Sequence, residues 1–146
     1  ALGRLDPRTR FRLVFFGSRV KLWKKPLLPA SPANLESAAM GLRNARPQGE
    51  TNFHGALKAA LGLHDKPTIN PRLEDIPDTV YFLTDGRPTR GEITAMPELV
   101  SWFENLNRFA KVKLYVIALG DLNVDVPSLR RLAESGGGEL IHVREQ

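Results

Sequence analysis

A chain of 146 residues with 42% hydrophobic and 25% charged side chains has the make-up of one ordinary globular domain. Cysteine is absent, which excludes disulfides, thiol catalysis and thiolate metal sites, and no apolar run approaches the roughly 20 residues a helix needs to cross a bilayer. The net charge of +5 is local: residues 1–25 hold eight basic side chains against Asp6 alone, and the remainder is slightly acidic.

Arg10 to Phe16, "RFRLVFF", reads as a strand, and Gly17-Ser18 turns it into a second run, "RVKLW", so the pair predicts a hairpin. Its basic residues alternate with Phe11, Leu13 and Phe15, the pattern of a solvated edge strand protected against aggregation. No aromatic-basic repeat or helix-turn-helix pattern supports nucleic-acid binding. Lys25 to Ala30, with two prolines, predicts a loop. Ser31 then caps a helix with Pro32 at its first position and Leu35, Ala38, Ala39 and Leu42 at helical spacing, ended by Pro47 and Gly49.

A second helix starts directly after Thr51 and carries Phe53, Ala56, Leu57, Ala60 and Leu61 on one face. The polar stretch Asp65 to Asp78 is a surface loop. Thr79 to Thr84 is a strand that ends in the turn "DGRPTRGE". A helix over Met96 to Phe109 places Leu99, Phe103 and Leu106 together with Trp102 beside them. Lys111 to Gly120 is a strongly apolar strand. Asp125 caps a helix using Leu129, Leu132 and Ala133, which stops at Gly136-Gly137-Gly138, and Glu139 to Val143 closes the chain as a strand. Strands alternating with amphipathic helices predict one α/β domain over residues 1–146. Its architecture is a Rossmann-like three-layer α/β/α sandwich, mostly parallel, with an antiparallel edge hairpin. "YFLT" and "LYVIAL" are apolar on both faces, as parallel strands covered on both sides are.

In an open α/β sheet, ligands bind beyond the carboxyl ends of the strands. Asp85 follows "VYFLT" directly, and Thr51 sits in the loop "QGET" that opens a helix, so the two converge on that edge although far apart in the chain. A carboxylate and a hydroxyl without cysteine or clustered histidine suit a hard cation such as Mg²⁺. Two simpler roles compete: Thr51 as a helix cap, and Asp85-Gly86 as a turn. His54, His64 and His142 show no metal-ligand spacing and read as structural or surface residues. "SGGGEL" runs from helix to strand, the reverse of a phosphate-cradling loop. Arg87, Arg90 and Glu92 read as an exposed rim beside the metal edge.

"ETNFHGALKAAL" followed by "DTVYFLTDGRPTRGEI" resembles two blocks of the von Willebrand factor type A domain, and both ends of the chain resemble its hairpin and its last strand-helix-strand. The resemblance implies a metal-ion-dependent adhesion site, with Thr51 binding Mg²⁺ directly and Asp85 reaching it through water. An Asp or Glu of a protein partner would complete the coordination. Glu50 and Asn52, flanking Thr51, and Gly86 and Arg87, following Asp85, would border that partner. The family's site also uses an Asp-x-Ser-x-Ser sequence at the end of a first central strand, and none occurs here. The chain therefore reads as lacking that strand and most of the first helix, about 40 residues. The missing strand would lie between "RLVFF" and "VYFLT", and Mg²⁺ would be held weakly or not at all without it.

Three functions remain open at this point: a protein-binding module, an accessory domain of an ATP-driven assembly, and a metal-assisted hydrolase. The last would need a general base near Asp85, and the "TDG" loop offers no histidine or second acid. The compartment also stays open, with the cell envelope or extracellular space favoured over the cytoplasm.

Overall fold

Three parallel strands carry the fold. The computed structural model describes residues 2–24, 26–46, 49–63 and 76–144. The strands are β5 (Thr79–Thr84), β6 (Lys113–Leu119) and β7 (Leu140–Val143), in the order β5-β6-β7. Thr79 aligns with Lys113 and Thr84 with Ala118, while Val116 aligns with Leu140 and Leu119 with Val143. Ahead of them come β1 (Arg10–Phe11), β2 (Val14–Phe16), β3 (Val20–Leu22) and β4 (Leu28–Pro29). The helices are α1 (Pro32–Asn44), α2 (Phe53–Ala60), α3 (Met96–Ala110) and α4 (Val126–Ser135). The mostly parallel sheet with helices and antiparallel strand pairs is the Rossmann-like α/β fold expected.

Strand periodicity sends Val80, Phe82, Thr84, Leu114, Val116 and Ala118 to one face, where all are buried. Helices α2, α3 and α4 cover that face with Phe53, Leu57, Leu99, Phe103, Leu129 and Leu132, each essentially inaccessible to solvent. The opposite face is open among the described residues. Tyr81 is 64% exposed and Leu83 51%, with Leu119, Ile141 and Val143 also exposed. Tyr81 and Tyr115 stack there at 5.3 Å, with the Lys113 ammonium 5.9 Å from the Tyr115 ring centre. The second helical layer expected from apolar residues on both strand faces is thus not supplied by the described helices. Helix α1 packs elsewhere, with Phe11, Ala30 and Trp23, and its Leu42 is exposed rather than buried.

The run "RFRLVFF" is two strands, not one. β1 pairs antiparallel with β4, while β2 pairs antiparallel with β3 across the Gly17-Ser18 turn. The change of partner falls at Arg12, whose guanidinium donates to the Ala59 and Ala60 carbonyls at the end of α2. The expected loop before Ser31 therefore contains a short strand, whose Pro29 sits where an edge tolerates a missing N–H. Neither pair is hydrogen-bonded to the parallel sheet. Aromatic packing joins them instead: Phe16 stacks on Phe82 at 5.1 Å, and Phe53 meets Phe82 edge-on at 4.9 Å. The edge of β5 away from β6 has no strand partner among the described residues.

Capping follows the sequence at two helices: Ser31 Oγ accepts from the Asn34 N–H and Asp125 Oδ1 from the Ser128 N–H. Helix α3 ends at Lys111, expected to open the next strand but in the left-handed conformation, and Asn107 binds both backbone polar groups of Val112, so β6 starts only at Lys113. The glycine run after α4 is a packing device. A Cβ on Gly138 would collide with the Leu114 carbonyl oxygen, and one on Gly136 would meet the Leu114 side chain. Pro47, His64 and most of the expected 65–78 loop lie outside the described residues.

Among the described residues, an apolar face left open and a strand edge left unpaired together oppose independent stability. Unsatisfied backbone groups cost about 1–3 kcal/mol each once buried, against a usual total near 5–15 kcal/mol. We predict that a polypeptide of residues 1–146 alone unfolds in urea without one steep transition and binds a hydrophobic dye before denaturant is added. A sharp two-state melt with no dye binding would contradict this.

Candidate functional site

Three loops meet at the carboxyl end of β5. The first is the hairpin turn at Gly17-Ser18, the second is residues 49–52 before α2, and the third runs from Asp85 to Glu92. The Glu50 N–H donates to Ser18 Oγ at 2.8 Å, and the Asn52 N–H donates to the Gly17 carbonyl at 3.2 Å. Gly49 makes this approach with a φ of +67°, its α-carbon lying against Ser18. On the other side, the Thr51 carbonyl accepts from the Thr89 N–H at 2.9 Å and from the Arg90 N–H at 3.1 Å. The Thr51 N–H in turn donates to Thr89 Oγ1 at 2.8 Å. An ion pair between Arg90 Nη1 and Glu50 Oε2, 2.6 Å, spans the same junction.

The cap of α2 is Asn52, not Thr51. Asn52 Oδ1 accepts from the Gly55 N–H at 2.7 Å. Gly91, at φ +112°, leaves room for this side chain: a Cβ there would clash with Asn52 Oδ1. The half-buried Thr51 thus supplies its backbone to the loop junction, while its hydroxyl is not used to start the helix. Asp85 is exposed at the end of β5, where the buried Thr84 Oγ1 accepts from the Gly86 N–H at 3.2 Å and sets the turn. Gly86 is half-buried and Arg87 exposed.

The junction brings the loop of Thr51 and the loop of Asp85 into direct backbone contact, so both motifs lie at one edge. The residues expected to border a partner divide. Glu50 is held by Arg90 and Asn52 by its capping bond, whereas Arg87 projects from the rim. Arg90 and Glu92 are exposed as expected but also have partners within the chain. Glu92 Oε2 lies 4.0 Å from His54 Nδ1. His54 is buried and its ring is edge-on to Trp102 at 4.5 Å. Burial lowers its pKa; the Glu92 carboxylate opposes the shift and Lys58 reinforces it. The neutral imidazole therefore stabilises the fold above the unfolded histidine value of about 6.5, and acidification through the lower folded value removes that contribution.

His142 lies at the same sheet edge but serves the scaffold: its Nε2 is 2.8 Å from the Gly120 carbonyl oxygen and 3.3 Å from Asp121 Oδ1, joining the ends of β6 and β7. Among the described residues no group of three or more His, Asp or Glu could hold a metal ion. The donors expected from the sequence are the Thr51 hydroxyl and the Asp85 carboxylate, on the two loops that meet here. Both are hard oxygens suited to Mg²⁺ as part of a larger set. Two donors leave most of an octahedral shell to be filled from elsewhere.

The family model of the von Willebrand factor type A domain matches residues 1–141. The chain belongs to this family. It is 34% identical over 143 residues to inter-alpha-trypsin inhibitor heavy chain H1 of Mesocricetus auratus, covering 97% of this chain and 15% of that protein. The human H1 heavy chain is 31% identical over 145 residues, covering 99% of this chain and 16% of that protein. This von Willebrand factor type A chain therefore spans less than one-fifth of the length of the curated relatives it matches. Among solved structures it is similar to proximal thread matrix protein 1 from the mussel byssus, a structure with a zinc-occupied MIDAS motif. The TM-score is 0.63 at 18% identity, covering 94% of this chain and 32% of that one, a likeness of fold.

The cap assignment has a direct consequence in the full-length protein. Asn52→Ala should cost about 1 kcal/mol of stability by denaturant melting, as loss of an N-cap does, and Thr51→Ala should change it by less than about 0.5 kcal/mol. The reverse order would make Thr51 the structural residue.

Proposed function

We propose that this chain is a non-enzymatic protein-binding module that grips an Asp or Glu of a partner at a Mg²⁺-dependent adhesion site, to which it contributes Thr51 and Asp85. The observation that carries the reading is the junction of the Thr51 loop with the loop opened by Asp85, combined with the release of the Thr51 hydroxyl from capping. When bound, the cation would supply a positive charge and an open coordination position for the partner's carboxylate. Thr51 would donate its hydroxyl oxygen, and Asp85, at the exposed end of β5, would reach the cation through water. The partner's backbone would then pass over Gly86, whose missing side chain leaves open space, beside Arg87. Glu50 and Asn52 would border the contact while held in place by Arg90 and the α2 cap.

Family membership supports an interaction module, and the zinc in the MIDAS motif of the byssus protein supports a divalent metal at this edge. A chemical step has no such support: His54 is sealed against Trp102 and His142 is engaged between strand ends. Three of the basic residues near the start also make contacts within the chain. Arg8 pairs with Asp6, Arg10 donates to the Leu27 carbonyl and Arg12 to the end of α2, which favours a structural edge over a nucleic-acid surface. The byssus neighbour favours an extracellular or cell-envelope setting over the cytoplasm. No helix among the described residues is long and apolar enough to cross a membrane.

The test is binding of the full-length protein to an array of Asp- and Glu-bearing peptides with Mg²⁺ and with EDTA. Binding should require Mg²⁺ and fall at least about tenfold in both Thr51→Ala and Asp85→Ala. Undiminished Mg²⁺-dependent binding in the two variants would remove these residues from the site.

A further inference from the structure

We infer that Thr89 is a positioning residue for the metal edge, holding Thr51 at a fixed distance from Asp85; this rests on the adhesion-site reading above. The two threonines exchange hydrogen bonds. The Thr89 N–H donates to the Thr51 carbonyl at 2.9 Å, and Thr89 Oγ1 accepts from the Thr51 N–H at 2.8 Å. Both backbone polar groups of Thr51 are thereby engaged by one residue of the opposite loop, one of them through a side chain. Serine could replace that hydroxyl. Valine, nearly the same shape, could not.

The neighbours of Thr89 make the same connection. Pro88 fixes its own φ near −65° and restrains Arg87 to an extended conformation, which limits the path from Asp85 to the clamp. Arg90 adds a second N–H to the Thr51 carbonyl and pairs with Glu50. Gly91 then makes room for Asn52, the residue after Thr51. At the other end of the loop, Thr84 Oγ1 holds the Gly86 N–H. Asp85 thus stands in a short segment pinned on both sides. Thr89, Arg90 and Gly91 together tie the Asp85 loop to the Thr51 loop.

The alternative is an ordinary loop whose threonine stabilises the fold without affecting the metal. The distinguishing experiment measures Mn²⁺ binding to the full-length protein by electron paramagnetic resonance for the wild type, T89V, T89S, T51A and D85A. Amide hydrogen exchange over residues 49–53 and 85–92 is followed in metal-free samples. T89V should weaken Mn²⁺ binding at least about tenfold, as loss of an outer-shell partner does, and accelerate exchange in both segments together. T89S should stay within about threefold of wild type in both measurements. If T89V does not fold, T89A makes the same comparison against T89S. Wild-type binding in the hydroxyl-less variant, with T51A and D85A impaired, would overturn the role of Thr89 and leave the metal edge standing. No Mn²⁺ binding by the wild type, or binding unaffected by T51A and D85A, would overturn the adhesion-site reading and this inference with it.

Discussion

The reciprocal hydrogen bonding of Thr51 with Thr89, reinforced by Arg90, is the constraint on which the candidate site depends. Residues 34 positions apart are brought to one edge because Thr51 gives both its N–H and its carbonyl to the loop that Asp85 opens. The same contact divides labour between neighbours. Asn52 takes the capping role that a threonine could have filled, so the Thr51 hydroxyl is not used to start the helix. Glycines at 49 and 91 permit the approach, each with a positive φ and each packed against a side chain of another loop.

Behind this edge the scaffold is unevenly finished. The face of the parallel sheet under α2, α3 and α4 is a dense core built on fully buried Phe53, Phe103, Leu57 and Leu132. The face bearing Tyr81, Leu83 and Ile141 is not covered by any described helix, and the β2–β3 hairpin meets β5 through phenylalanine rings rather than backbone bonds. Rings at 5–6 Å can transmit position from hairpin to sheet, but they specify register less strictly than a hydrogen-bonded strand would. The candidate site draws on both halves. Gly17 and Ser18 hold one side of the Thr51 loop, and β5 presents Asp85 on the other.

Most of this was legible in the sequence where local physics decides. Ser31-Pro32 and Asp125 marked helix starts, and the apolar spacing of α2, α3 and α4 named their buried faces. "VYFLT" before "DG" marked a strand ending at the ligand edge. Tertiary pairing was less legible. Nothing local in "RFRLVFF" shows that Phe11 and Val14 have different strand partners, or that Leu28 belongs to a strand. Apolar residues on both faces of β5 and β6 stated a capacity for two helical layers, which the described residues fill on one side. At the site, the sequence pointed to Thr51 and Asp85 but offered Thr51 as the helix cap, a role that Asn52 fills instead, because either side chain can accept from a helix N-terminus. Thr89 was invisible as a contact. Its partner is 38 positions away, and only the positive φ demanded of Gly91 by the loop path distinguishes "PTRG" from an ordinary exposed turn.

The most direct measurement is an anomalous-scattering crystal structure of the full-length protein with Mn²⁺ in place of Mg²⁺. The expected result is a peak at direct ligand distance from Thr51 Oγ1, about 2–2.5 Å, with the Asp85 carboxylate joined to it through one water. A peak at another edge of the sheet, or a Thr51 hydroxyl bonded to protein while the metal binds elsewhere, would contradict it.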